Sequence, residues 1–410
     1  MFKSYRAVFR TPGSVAFAAA GFVMRMPIAI YPIALVLIVS SRNGHYGFAG
    51  IVSACYVAGG VPGGPLLSRM VDRYGQRPLL LPATVVHLAA IVVLAVLIES
   101  DAPDWTLTIP TFVAGFAYLS VGSLIRARWS LLLAGKPELT TAYSVESILD
   151  ELIFVLGPLI ATVIATHADP VFVLYLSVAL IAIGAFWLST QRATEPPRHP
   201  VGAPRQGSAL RERGMLLLSV GAVFMGAVFA SAEIAMIAFC GQHGHRSLSG
   251  LVVAMFAAGS AVAGFFYGAR TWQAGVLARY RLQATAFAVL PFAFLLASTV
   301  GALAACSFLV GLGIAPTLIT TFGLVERLVP GASLTEGLTW MLTGLNIGYG
   351  AGAAVVGGIA DAHGARFAFG VTIVAALLTA TIAWLLYRQL RAPGQVRPTL
   401  MGSSRHAPLP

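Results

Sequence analysis

Lysine is almost missing from this 410-residue chain: Lys3 and Lys136 stand against 24 arginines. A Walker phosphate loop needs G-x-x-x-x-G-K-S/T, and Lys136 sits in "AGKPEL" with neither the glycines nor a following hydroxyl, so ATP hydrolysis by this chain is excluded. Cysteine is scarce too. Cys55, Cys240 and Cys306 lie far apart without motif spacing, which indicates neither a disulfide framework nor a metal site and leaves them as small packing residues. Charge of either sign is rare, 10% of residues against about a quarter in soluble domains. What fills the chain is apolar: 58% hydrophobic residues and a mean hydropathy of +0.83.

Apolar windows of about 20 residues, enough helix to cross a hydrocarbon core of roughly 30 Å, recur along nearly the whole sequence. Twelve are expected, at 14–40, 47–68, 78–99, 105–134, 140–166, 170–190, 214–241, 247–269, 281–300, 301–327, 332–360 and 366–388. The ninth and tenth leave only a very tight turn at 299–302. With both termini inside the cell, 22 of the 26 Lys and Arg residues fall on the cytoplasmic side, leaving Arg42, Arg246 and Arg366 outside and Arg25 within the first span; positive residues near span ends are retained there. The net charge of +11 is thus a matter of topology and calls for no nucleic-acid partner. The basic N-terminus imitates a signal peptide, but its apolar run continues to Val39, too long for a cleaved segment. The Arg, Ala and Gly bias points to a high-GC bacterial genome.

The segment 191–213, rich in Pro and Arg, reads as a cytoplasmic linker between an N-terminal half, 1–190, and a C-terminal half, 214–388, with a cytoplasmic tail at 389–410. The halves repeat at an offset of 200: "GHYGFAGIVSACYVAGGVPGG" (44–64) and "GHRSLSGLVVAMFAAGSAVAG" (244–264) share eight of twenty-one positions. Two six-helix halves in parallel orientation follow, the plan of secondary transporters that rock about a midplane site. Ala58, Gly59, Gly60, Gly63 and Gly64, with Gly348, Gly350, Gly352, Gly357 and Gly358, allow close helix approach. His45 and His245 match in the repeat and read as turn residues; His87, inside a span, reads as packing.

Between the second and third spans stands "SRMVDRYGQRPLLL" (68–81). Here the chain resembles the major facilitator superfamily, whose loop pattern is G-x-L-x-D-R-x-G-R-R/K: Asp72, Arg73, Gly75 and Arg77 match, Met70 is a mild change from Leu, and Ser68 replaces the first Gly and Gln76 an Arg. The resemblance implies a twelve-helix all-α membrane fold in two pseudo-symmetric halves. It also implies a clasp at this loop that steadies the outward-open form without touching substrate. The second-half loop, "GARTWQAGVLARYR" (268–281), has Trp272 and Gln273 where Asp72 and Arg73 stand, so the clasp is expected on one side. Gly157-Pro158 partly matches the fifth-helix pattern of drug/proton antiporters, which favours export.

Charge at membrane depth costs about 2.5–3.5 kcal/mol per residue on insertion scales and marks functional candidates. Arg25 and Asp150 lie at matching depths, roughly 16 and 15 Å from the same side at the helical rise, and are expected to pair. Glu146 and Asp150 share a face and repel unless protonated or paired. Arg126 and Arg128 are placed opposite Glu146 as a structural clasp, with Arg25, Asp150, Glu151 and Glu233 as proton-coupling or gating candidates. Thr339, Trp340, Thr343 and Asn346 form a polar stripe that lines a cavity or bonds neighbouring helices. The sequence thus reads as a monomeric, multi-pass transporter of the bacterial cytoplasmic membrane, taking a small-molecule substrate, using no cofactor and driven by the proton gradient. Its leading reading is proton-coupled export of an amphipathic or drug-like molecule by alternating access; the alternatives are a sugar or metabolite facilitator or symporter, and remotely a sensor or membrane enzyme.

Overall fold

Apolar composition becomes helix throughout, because backbone polar groups in hydrocarbon must be satisfied within their own segment. The computed structural model describes residues 2–31, 38, 46–167, 169, 171–197, 207–245 and 248–391, and among these there is no strand. His45, Arg42 and Arg246 lie outside the described residues. A short helix α1 (Phe2–Arg10) precedes α2 (Ser14–Arg25), which resumes over 27–31 after a turn at Met26. Then come α3 (Tyr46–Tyr74), α4 (Gln76–Glu99), α5 (Thr108–Ala117), α6 (Val121–Leu132), α7 (Glu138–His167) and α8 (Phe172–Thr190). Past the linker follow α9 (Met215–Gln242), α10 (Ser249–Ala269), α11 (Val276–Val289), α12 (Val300–Gly311), α13 (Ile314–Leu328), α14 (Leu334–His363) and α15 (Ala365–Arg391). Among the described residues, nine of the resulting stretches are long and apolar enough to cross a membrane.

Helices α5 and α6 together make the fourth span, broken at 118–120, and α12 and α13 make the tenth, broken at 312–313. Helix α11 runs on as a 3-10 segment, Leu290–Leu296. The turn after it falls at 297–299, a little earlier than the 299–302 expected, because the Thr299 hydroxyl accepts from the Ala302 N–H at 3.2 Å and caps α12.

The sequence repeat is also a packing repeat. A Cβ on Gly59 would stand 2.1 Å from the carbonyl oxygen of Phe112, and one on Gly259 would stand 2.1 Å from that of Phe308. Gly115 meets the Tyr56 carbonyl as Gly311 meets that of Phe256. Each half therefore presses its second span onto its fourth through glycine on both faces. The third matched position, Gly64 and Gly264, differs between the halves: Gly64 lies beside Thr339 of the opposite half, whereas Gly264 meets Ala315 of its own half at 3.0 Å and Ile148 of the other at 3.9 Å.

We call the side that carries α1, the 68–81 loop and the linker the linker face. One buried apolar cluster includes N-half residues such as Phe17, Trp129 and Tyr143 and continues into linker-face residues of the C-half, among them Tyr280, Phe322, Leu338 and Met341. A second cluster, with Met236, Phe239, Val252, Phe256 and Phe369, belongs to the C-half alone and lies toward the far face. The halves are thus packed together at the linker face, an outward-facing arrangement if that face is cytoplasmic.

The expected small-residue stripe on α14 divides in two. Gly348 and Gly352 abut α9, with the Val223 carbonyl and Ala227 in the way of any Cβ, whereas Gly350, Gly357 and Gly358 face open space. Gly348→Ala is therefore expected to lose about 1–3 kcal/mol through overpacking, and Gly350→Ala to lose nothing, since alanine favours helix. Thermal unfolding of the two variants in detergent checks the contrast.

Candidate functional site

Buried guanidiniums in a membrane bundle need anionic partners, and here they converge. Arg25, 3% exposed on α2, gives Nη1 to Asp150 Oδ1 at 2.7 Å and Nη2 to Glu146 Oε2 at 2.5 Å, while its Nε donates to the Gly21 carbonyl at 3.1 Å. Asp150 takes a second cation on its other oxygen, Arg126 Nη2 at 2.7 Å. Glu146 is completed by the indole N–H of Trp129 at 2.8 Å. The i, i+4 repulsion of the two carboxylates is thereby answered by two guanidiniums and an indole, all within the N-half. Removing one member of a buried pair costs about 3–5 kcal/mol, so this knot holds α2, α6 and α7 as one body.

The expected pairing of Arg126 and Arg128 with Glu146 is not what the fold makes. Arg126 goes to Asp150, and its Cζ lies 3.8 Å from the ring centroid of Phe322 on α13, across the interface between halves. Arg128 turns away: it donates to Gln76 Oε1 at 2.8 Å, Thr194 Oγ1 at 2.8 Å and the Gln191 carbonyl at 2.9 Å. Two residues apart on a helix, the arginines face about 200° from one another, so one carboxylate cannot serve both.

At the linker face the Asp72 carboxylate of α3 accepts from the backbone N–H of Thr335 at 3.1 Å and of Glu336 at 2.8 Å. Helix α14 has no side-chain cap of its own, Ser333 making none, so its exposed donors and dipole take a carboxylate from the other half. Gly75, at φ +94°, turns the chain into α4. Arg73 instead stacks on its neighbour Tyr74, 5.1 Å from the ring centroid, and Arg77 donates its main-chain N–H to Glu195 at 2.9 Å.

Both departures from the family pattern are in use. Ser68 bonds the Thr339 hydroxyl at 2.7 Å, and Thr339 in turn reaches Ser123 at 2.9 Å, so one C-half side chain is clipped between two N-half hydroxyls. Gln76 receives Arg128 and donates to the Leu124 carbonyl at 3.1 Å. Thr141 donates to the Gly268 carbonyl at 2.6 Å and Tyr5 of α1 to that of Phe265 at 2.7 Å, adding two further links between halves.

Two candidate carboxylates remain. Glu151, one residue past Asp150 and so about 1.5 Å higher on α7, accepts from the Ser260 hydroxyl of α10 at 2.5 Å. Glu233 accepts from Tyr349 of α14 at 2.8 Å. Among the described residues neither has a cation partner. The stripe on α14 separates: Thr339 and Thr343 are buried at the seam, Trp340 donates to Glu336 one turn away at 3.3 Å, and Asn346 is exposed. Gly157 seats α7 against Ala29. His87 Nδ1 bonds the Ala114 carbonyl at 2.7 Å as a packing residue would, and His245 sits in a turn, its N–H on the Cys240 carbonyl at 2.9 Å. Sequence reasoning missed Trp129, Ser123, Ser260 and Phe322, because single polar or aromatic residues in a span carry no spacing signal.

A family model described as Major Facilitator Superfamily matches residues 17–278 and 243–409. No curated protein is matched in sequence. Among solved structures, a bacterial homologue of the iron transporter ferroportin in an outward-facing state superposes with a TM-score of 0.74 at 14% identity, over 91% of this chain and 98% of that one. The E. coli fucose:proton symporter gives 0.71 at 11% identity, over 91% and 98%. The human organic anion transporter TETRAN gives 0.68 at 16%, over 92% and 99%. At such identities the likeness is one of fold.

Burial pushes Asp72 up to about 7, the donors of Thr335 and Glu336 pulling it only part of the way back. Opening the linker face returns the group to water and its ordinary range. A carboxyl with the higher pKa in the closed form stabilises that form at low pH and loses the contribution as pH rises through about 7. Spin-label distances across this face should therefore show more closed population at pH 5 than at pH 8, with Asp72→Asn flattening the dependence.

Proposed function

The chain belongs to the major facilitator superfamily, and on that premise we propose that this transporter is a proton-coupled exporter of amphipathic or drug-like small molecules, working by alternating access. The observation that carries the reading is the Glu151–Ser260 contact, a carboxylate at mid-depth joined to the opposite half by a neutral hydroxyl, with no cation paired to it among the described residues. A charge so placed is costly in hydrocarbon, which suits a group that exchanges a proton as the halves move. Glu151 is therefore the coupling carboxylate, and Asp150, held between Arg25 and Arg126, is a positioning residue.

Placing the linker face in the cytoplasm follows the distribution of basic residues. The described arrangement is then outward-facing. To open inward, the chain must release the Asp72 cap, the Arg69–Glu336 ion pair, the Thr339 clip, the Thr141 and Tyr5 links and the Arg126–Phe322 stack. The ion pairs within the N-half survive the motion. Protonation of Glu151 from the outer side makes it neutral for the return. Loss of that proton on the cytoplasmic side restores the charge as substrate loads. On this reading the path runs past groups open at mid-depth, the one-third exposed Asp150 and the exposed Asn346 and Tyr349.

Proteoliposomes given cationic dyes, antibiotics and sugars, with and without an imposed pH gradient, test this. Transport of an amphipathic substrate should quicken with the gradient, and Glu151→Gln should abolish that response while leaving counterflow exchange. Rates indifferent to the gradient in the wild-type protein overturn the coupling, and transport confined to sugars overturns the substrate class. Asp150→Asn should instead lower stability by about 3 kcal/mol, the low end for a broken buried pair.

A further inference from the structure

The loop after α10 is the second-half counterpart of the 68–81 loop, yet Trp272 stands in the place of the capping aspartate. Rather than receiving a helix end, it closes a groove of about 440 Å³ lined by Ala263, Phe266, Tyr267, Ala269, Arg270 and Trp272. Trp272 is fixed in place: its indole stacks on Tyr267 with centroids 4.5 Å apart and donates to the Tyr267 carbonyl at 3.0 Å. Two guanidiniums use its ring, Arg270 with Cζ 4.8 Å from the centroid and Arg279 at 5.8 Å. Arg279 also donates to the Tyr267 hydroxyl at 3.3 Å, and its Nε is buried without a hydrogen-bond partner.

The charge of this segment is all of one sign. No Asp or Glu occurs between Glu233 and Glu326 in the sequence, and among the described residues no carboxylate is ion-paired with Arg270 or Arg279. Depth supplies the rest. Helix α10 has 21 residues, about 31 Å at the helical rise, which matches the hydrocarbon core. Arg270, the residue after it, therefore sits at headgroup level. Phe266, one turn inside and 54% exposed, faces the acyl region.

We propose that this groove binds the headgroup of an anionic phospholipid. Arg270, with Arg279 behind it, takes the phosphate, and Phe266 with Ala263 covers the first carbons of an acyl chain. Trp272 holds both cations in register through its ring. A free anion would satisfy the arginines and leave the apolar wall bare, whereas a lipid satisfies both. The inference is independent of what the transporter carries.

Native mass spectrometry of the purified full chain, released from detergent micelles with phosphatidylglycerol or phosphatidylcholine of identical acyl chains, tests it. The wild-type protein should retain phosphatidylglycerol in preference. Arg270→Gln should cut the retained fraction about fivefold, one basic residue near an anionic surface being worth that much. Trp272→Leu should reduce it too, and Arg391→Gln, at the same face but outside the groove, should not. Equal retention of the two lipids, or an Arg270→Gln protein that holds phosphatidylglycerol as well as wild type, overturns the site. Displacement of the lipid by millimolar inorganic phosphate overturns the lipid as its occupant.

Discussion

A polar group inside a bilayer has no water to fall back on, so each guanidinium, carboxylate and free helix end must find its partner in the protein. Arg25, Arg126, Glu146 and Asp150 answer that demand within one half, and the N-terminus of α14 answers it across the two, on Asp72. The same constraint distributes rigidity. On the proposed mechanism, the contacts that survive are the close ion pairs in the interior of the N-half, while those that break are hydrogen bonds, a capped helix end, one cation-π stack and the long, half-exposed ion pair of Arg69 with Glu336 at 4.0 Å. Breaking a buried ion pair costs several kcal/mol; releasing a hydroxyl to water or to a neighbouring acceptor costs far less.

Glycine organises the apolar part in the same way. Without a hydrophobic force between helices in lipid, close backbone approach supplies the packing, and the matched pairs Gly59 with Gly115 and Gly259 with Gly311 supply it once in each half. Gly64 looks across to Thr339 and Thr343 of the opposite half, where the neighbours are side chains and not backbone. A smooth seam made of side chains can part and re-form, and a backbone-to-backbone seam cannot without losing its packing.

Much of this was legible beforehand, for identifiable reasons. Arg25 and Asp150 could be matched because depth follows from residue count along a straight helix. The Asp72 motif was visible as a pattern, and its two departures, Ser68 and Gln76, are both hydrogen-bonded in the fold. What the pattern hid was direction. Arg126 and Arg128 have nearly equal depth, so counting could not separate them; their opposed faces send one to Asp150 and the other to Gln76 and the linker. Thr339 could line a cavity or bond a neighbouring helix, and its burial at the seam between Ser68 and Ser123 makes it the second.

The amino-acid sequence by itself determined the apolar solvent, the all-helical class, the internal repeat, the distribution of basic residues and the family, because each depends on composition, run length or a local motif. Tertiary structure alone decided which carboxylate faces which cation, that Glu151 looks across to Ser260 while Asp150 stays at home, and that Trp272 closes a groove where Asp72 caps a helix. Those outcomes depend on the rotation of each helix about its axis and on how far the halves have rocked together, and no single segment encodes either.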